Sequence, residues 1–103
     1  NKNIFDTMSQ FYCSDKDESK KIKCECFVLN INSDFEKRFN PFQIDSIKND
    51  PIKSITEFKA SYDNKKEDIS ACFKKKGLSS SLAEEIKNDI IEKTTGFLMS
   101  FDE

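Results

Sequence analysis

The chain has 103 residues, with 17 Lys and Arg against 19 Asp and Glu, no histidine and a formal net charge of −2 at pH 7. That length is one domain, residues 1–103, and the interspersed charge gives no global field that would draw nucleic acid. No apolar run approaches the ~18 residues needed to cross a bilayer, so no membrane span is expected.

Charged residues make up 35% of the chain and hydrophobic residues 36%, a low apolar share for a folded protein. Ten Phe with only two Gly and two Pro nevertheless argue for a folded domain, one whose stability leans on crosslinks. Four cysteines, Cys13, Cys24, Cys26 and Cys72, supply them. Zinc sites use Cys-x-x-Cys pairs or histidine, and neither occurs here, so two disulfides and an oxidising compartment are expected. Cys24 and Cys26 are separated by one residue and cannot easily bond each other. That leaves Cys13–Cys24 with Cys26–Cys72, or Cys13–Cys26 with Cys24–Cys72. A start at Asn1 rather than Met reads as a mature chain after leader removal, as it would for any trimmed chain, and a location outside the cell is expected. There is no Asn-x-Ser/Thr sequon, so N-glycosylation is not expected.

In chain order, Ile4, Met8, Phe11 and Tyr12 follow helical spacing and predict a first helix over 3–13. Residues 14–21 read as a polar connector. Between 19 and 32, Ile22, Cys24, Cys26 and Val28 alternate as in a strand, while Ile22, Cys26 and Leu29 also share a helical face. An isolated strand is unstable and no other segment alternates, so a helix is expected there. Residues 33–39 continue as a helical turn or two before Asn40-Pro41, and Phe42, Ile44 and Ile47 mark a short helix or packed loop. Asp50-Pro51 is a helix start, with Asp50 as N-cap and Pro51 in the first turn. Its inner face is expected to carry Ile52, Ile55, Phe58 and Tyr62, and it either breaks near Asp63-Asn64 or continues through Ile69, Cys72 and Phe73. Lys74-Lys75-Lys76 complements the dipole at its end, and Gly77 suits the position just beyond. Ser81-Leu82-Ala83-Glu84 predicts a capping box opening a last helix, with Leu82, Ile86, Ile90 and Ile91 inward. Phe97, Leu98 and Phe101 form an apolar tail expected to dock on the core. The fold class expected is all-α: a small disulfide-stapled domain of four or five helices.

Catalysis is hard to build from this inventory. Histidine is absent, the cysteines are expected to be crosslinked, and each carboxylate sits in a mixed-charge run such as Asp15-Lys16-Asp17-Glu18. No Gly-rich phosphate loop, nucleophile elbow or metal motif occurs, so neither enzyme activity, nor a cofactor, nor a metal is expected. The basic clusters Lys20-Lys21 with Lys23, Lys65-Lys66, and Lys74-Lys75-Lys76 could meet an anionic surface such as a glycosaminoglycan or an acidic protein face. Solvated helix faces and complementation of a helix C-terminus explain them better. No aromatics interleave with them as on a nucleic-acid platform. Phe5, Phe11, Phe27, Phe58 and Phe73 lie on or near the expected inner faces, as core or as the lining of a hydrophobic-ligand cavity.

The Lys-, Asn-, Asp-, Ile- and Phe-rich composition with Cys13…Cys24-Glu25-Cys26…Cys72 resembles the small secreted salivary proteins of blood-feeding insects. Across its whole length the chain is similar in size, helicity and two-disulfide plan to the anticomplement salivary proteins of sand flies. The resemblance implies a secreted, non-enzymatic protein that inhibits a host plasma defence cascade, complement by its classical pathway first and coagulation second. It would act by occupying a docking surface on a host plasma protein. A monomer is expected. The charged clusters Lys74, Lys75, Lys76 and Asp15, Asp17, Glu18, with Phe97 and Phe101 of the tail, are the candidate partner-binding residues. A small helical carrier of a hydrophobic ligand is the alternative.

Overall fold

Pro41 and Pro51 each punctuate the chain where a helix begins, and both starts are capped as the residue types require. The computed structural model describes residues 9–14 and 16–99. Five α-helices make up most of it: α1 (Glu18–Lys23), α2 (Leu29–Arg38), α3 (Pro41–Asn49), α4 (Pro51–Lys75) and α5 (Leu82–Met99). Two π-helical segments complete the helical structure, Ser9–Cys13 at the front and Cys24–Val28 between α1 and α2. There is no strand among the described residues.

The apolar stretch around Cys24 and Cys26 is helical, as its lack of a strand partner requires. Cys24, Val28 and Leu29 all keep right-handed helical dihedrals, so α1, the π segment and α2 run on without a break from 18 to 38. The polar connector is correspondingly shorter than expected, because α1 already starts at Glu18. Phe39 turns to an extended conformation and ends α2. Asn40 then caps α3 reciprocally: its Oδ1 accepts from Gln43 N–H at 2.9 Å, and Gln43 Oε1 accepts from Asn40 N–H at 3.2 Å.

Asp50 caps α4, accepting from Lys53 N–H at 3.2 Å, with Pro51 in the first turn where its missing donor costs nothing. The helix does not break at Asp63-Asn64; it continues to Lys75. Its end is a Schellman closure. Leu78 N–H donates to Phe73 O at 2.8 Å, Gly77 N–H donates to Lys74 O at 3.0 Å, and Gly77 adopts φ 82°, which a residue with a Cβ resists.

Ile52, expected on the inner face of α4, is 69% exposed, and Phe42 on the short helix α3 is 87% exposed. The inward stripe of α4 is instead Ser54, Phe58, Ser61, Tyr62, Ile69 and Phe73. Serines serve there because their hydroxyls find internal partners: Ser54 donates to the Ile47 carbonyl at the end of α3, and Ser61 Oγ meets Arg38 Nη2 at 2.6 Å. Phe11, expected inside, is 45% exposed. In the segment expected as an N-terminal helix over 3–13, residues 3–8 and Phe5 lie outside the described residues, and Ser9–Cys13 is wound as a π-helix.

The core is a layer between α2 and α4, closed by α5. Phe27, Phe58 and Phe73 are fully buried with Ile31, Ile47 and Ile69 around them, and Ala83, Ile86 and Ile90 bring α5 onto the same cluster. The Phe27 ring centroid lies 6.0 Å from Phe58 and 5.9 Å from Tyr62, so aromatic rings fill the centre. Both disulfides belong to one of the two pairings left open by the sequence: Cys13–Cys24 and Cys26–Cys72, with Cα–Cα distances of 5.1 and 5.5 Å. No described helix is long and apolar enough to cross a membrane.

Candidate functional site

The candidate partner-binding residues do not converge on one spot. Cys26–Cys72 near one end, and Arg38 beside Ser61 near the other, make α1–α2 antiparallel to α4. The start of α1 and the end of α4 therefore share one end of the molecule. Asp17 and Glu18 are exposed at the first of these, and Lys74, Lys75 and Lys76 at the second. Among the described residues an ion pair joins the π segment to the residue that ends α4, Lys76 Nζ to Glu25 Oε2 at 3.9 Å; at an exposed position it contributes little. Asp15 and Phe101 lie outside the described residues, as does the Phe97 side chain, although the backbone of Phe97 belongs to α5. The expected docking of the tail on the core therefore rests on side chains outside that set.

Lys74 lines a concave feature. An open groove of about 580 Å³ runs between α4 and the Ser79–Ser81 loop that leads into α5. Tyr62, Lys66, Ser70 and Lys74 recur every fourth residue, one helical ridge of α4, and Ser80, Ser81 and Glu84 face them. Among the described residues neither Lys66 nor Lys74 has a carboxylate within 4.0 Å. The sequence carried a signal for this ridge in its four-residue spacing, but nothing in it showed that the serine loop would fold back alongside.

The capping box expected at Ser81–Glu84 does not form, and its acid does something else. The Ser81 hydroxyl pairs with Ser79 Oγ at 2.8 Å, while Glu84 accepts from Tyr62 Oη at 2.7 Å and from Lys87 Nζ at 2.7 Å. The Lys87 ammonium lies 5.2 Å from the Tyr62 ring centroid, so one cation serves both partners. Burial first, then the bond to Glu84, raises the Tyr62 phenol well above its ordinary value of 10.0. Glu84 is held below the usual carboxylate range, first by the hydrogen bond from Lys87 and then by that from Tyr62.

A second polar assembly was not legible in the sequence. Arg38 sits in the gap between α2 and α4. Its Nε is 2.8 Å from Asp34 Oδ2, an ion pair whose N–H is not aimed along the contact, and Nη1 is 3.4 Å from Glu57 Oε2. Nη2 donates to Ser61 Oγ and to the Glu57 carbonyl, and the guanidinium lies 4.8 Å from the Phe39 ring centroid. This is a joint between helices in which Nη2 donates internally while Nε is held by charge alone.

A third cluster surrounds the front π segment. Lys20 and Lys93 each bring an ammonium 4.7 Å from the Phe11 ring centroid, and Lys23 lies 6.0 Å from that of Tyr12. Lys93 is paired with Asp89 at 3.1 Å. Tyr12 is buried, and burial, then the charge of Asp89, raises its phenol. Aromatic and basic residues thus interleave here in space although they do not in sequence.

Comparison with protein-family models, curated proteins and solved structures finds no match for this chain. Among the described residues no group of three potential ligands is placed to hold a metal ion. The groove along α4 offers ammonium, hydroxyl and carboxylate groups at an open surface.

Proposed function

We propose that this protein is a secreted, non-enzymatic binding protein that inhibits a host plasma defence cascade, with the classical complement pathway as its target. The observation that carries the reading is the division of labour in the fold. Aromatic side chains fill the interior, two disulfides hold the frame, and the uncommitted polar groups face outward along α4. A frame of this kind presents a preorganised surface and loses little freedom when a partner docks. Disulfides persist in oxidising compartments, which suits action in plasma. The centre occupied by Phe27, Phe58 and Phe73 favours surface recognition over the carriage of a hydrophobic ligand.

The test is lysis of antibody-coated red cells in serum, run beside an alternative-pathway assay and a reduced, alkylated control. Dose-dependent protection in the antibody-triggered assay alone, lost on reduction, is the expected result. No protection in either assay, together with displacement of a fluorescent fatty-acid probe, would transfer the assignment to the carrier.

A further inference from the structure

We propose that the groove between α4 and the Ser79–Ser81 loop binds an extended sulfated polysaccharide, independently of any plasma target. Three features of the groove select this ligand. Lys66 and Lys74 stand eight residues apart on one helix, a rise of about 12 Å, with the Ser70 hydroxyl midway between them. A single small anion does not span that distance; a chain carrying sulfates at intervals does. The opposite wall presents Ser80, whose hydroxyl exchanges hydrogen bonds with sugar hydroxyls as readily as with water, and Ser81, which keeps one of its hydrogen-bonding positions for Ser79.

The third feature is what the floor withholds. Tyr62, the one aromatic ring of the lining, is 4% exposed and its hydroxyl is committed to Glu84, so no ring face is available for stacking a nucleobase. An acidic peptide would seek an apolar anchor pocket, and the floor offers only Ala71 and the lysine stems. The groove is open along its length, which suits a chain lying through it rather than an enclosed small molecule. Glu67 and Glu84 also line it and oppose an anion; Lys87 meets the charge of Glu84 at 2.7 Å, so removing the charge of Glu67 is the informative change in the other direction.

The experiment measures binding of the intact purified protein to heparin at about 0.1 M salt, where charge contacts between ammonium and sulfate remain strong. Lys66→Ala with Lys74→Ala should weaken binding about tenfold, by the counterion-release logic of polyanion contacts. The charge-matched pair Lys37→Ala with Lys53→Ala, exposed elsewhere on the helices, should change it less than about twofold. Glu67→Gln should strengthen it, and desulfated heparin should not compete. All these side chains are exposed, so each variant should fold, which circular dichroism checks. Equal losses in both lysine pairs would reduce the binding to diffuse charge attraction and overturn the site. Poly-glutamate competing as well as heparin would make it an acidic-peptide groove, and absence of heparin binding by the unaltered protein would end the proposal outright. The assay contains no serum, so its failure and a failure of complement inhibition are separate results.

Discussion

Tyr62 Oη donates to Glu84 Oε2 across 2.7 Å and so ties the middle of α4 to the first turn of α5. The two groups titrate in opposite directions from their ordinary values, 10.0 and 4.5, and each shift has a sign in stability. Tyr62 is raised, so its contribution is whole below about pH 10 and fades as pH climbs towards the folded value. Glu84 is lowered, so its contribution is whole above about pH 4.5 and fades as pH falls through the folded value. Urea unfolding across pH should show a plateau bounded on both sides. Tyr62→Phe should lower the plateau by about 1 kcal/mol and flatten both flanks. Unchanged flanks would show that the pair does not couple the helices.

Arg38 is the joint between α2 and α4, and its geometry uses the planar fork rather than charge alone. Arg38→Lys keeps the charge but cannot reach Asp34, Glu57 and Ser61 together. It should cost about 1–2 kcal/mol, and Arg38→Ala about 2–3 kcal/mol, with Asp34 left to the Asn64 amide and no cation. Denaturant midpoints at constant m-value decide it. Full stability of the lysine variant would mean that charge suffices.

The two disulfides differ in accessibility. Cys13 is exposed and Cys24 half-buried, whereas Cys26 is fully buried and Cys72 half-buried. Limited reduction should therefore open Cys13–Cys24 first, and mass spectrometry after alkylation should find label on 13 and 24 while 26 and 72 remain joined. Paired Cys→Ser replacement should cost about 3 kcal/mol at the short loop and about 4 kcal/mol at the long one by chain entropy.

The ends of α4 rest on two residues of different kinds. Asp50→Ala removes the N-cap and should cost about 1 kcal/mol. Gly77→Ala meets no neighbour within 4 Å, yet φ 82° should cost about 1 kcal/mol through the backbone alone. The sites are far apart, so the double variant should be additive in thermal melts. A Gly77→Ala protein as stable as the parent would show that the turn relaxes.

Punctuation was the most legible part of this chain. Asn40-Pro41, Asp50-Pro51 and Gly77 act through their own backbone chemistry, and the helices begin and end where those residues allow. The helical reading of the central stretch also explains the cysteine spacing. Residues two apart on a helix point about 200° apart, so Cys24 faces the front π segment and Cys26 faces α4. Inner faces were less legible. Ile52 and Phe42 are apolar and exposed, whereas Ser54 and Ser61 are polar and buried, because burial depends on the element opposite and on whether a hydroxyl finds an acceptor there.

The same limit separated candidate residues from the groove. Of the candidates for partner binding among the described residues, Lys74 alone lines it, because a run of like charges in sequence fans around a helix while residues four apart align along it. Residue types and spacing by themselves determined an all-α, doubly crosslinked chain and the places where most of its helices start and stop, since caps, prolines and glycine act over a few neighbouring residues. Only the tertiary structure decided which cysteines pair, that Arg38 bridges two helices, that Glu84 abandons its cap for Tyr62, and that a serine loop lies against a lysine ridge. Each of those depends on groups brought together from distant positions, and such distances exist only once the helices have packed.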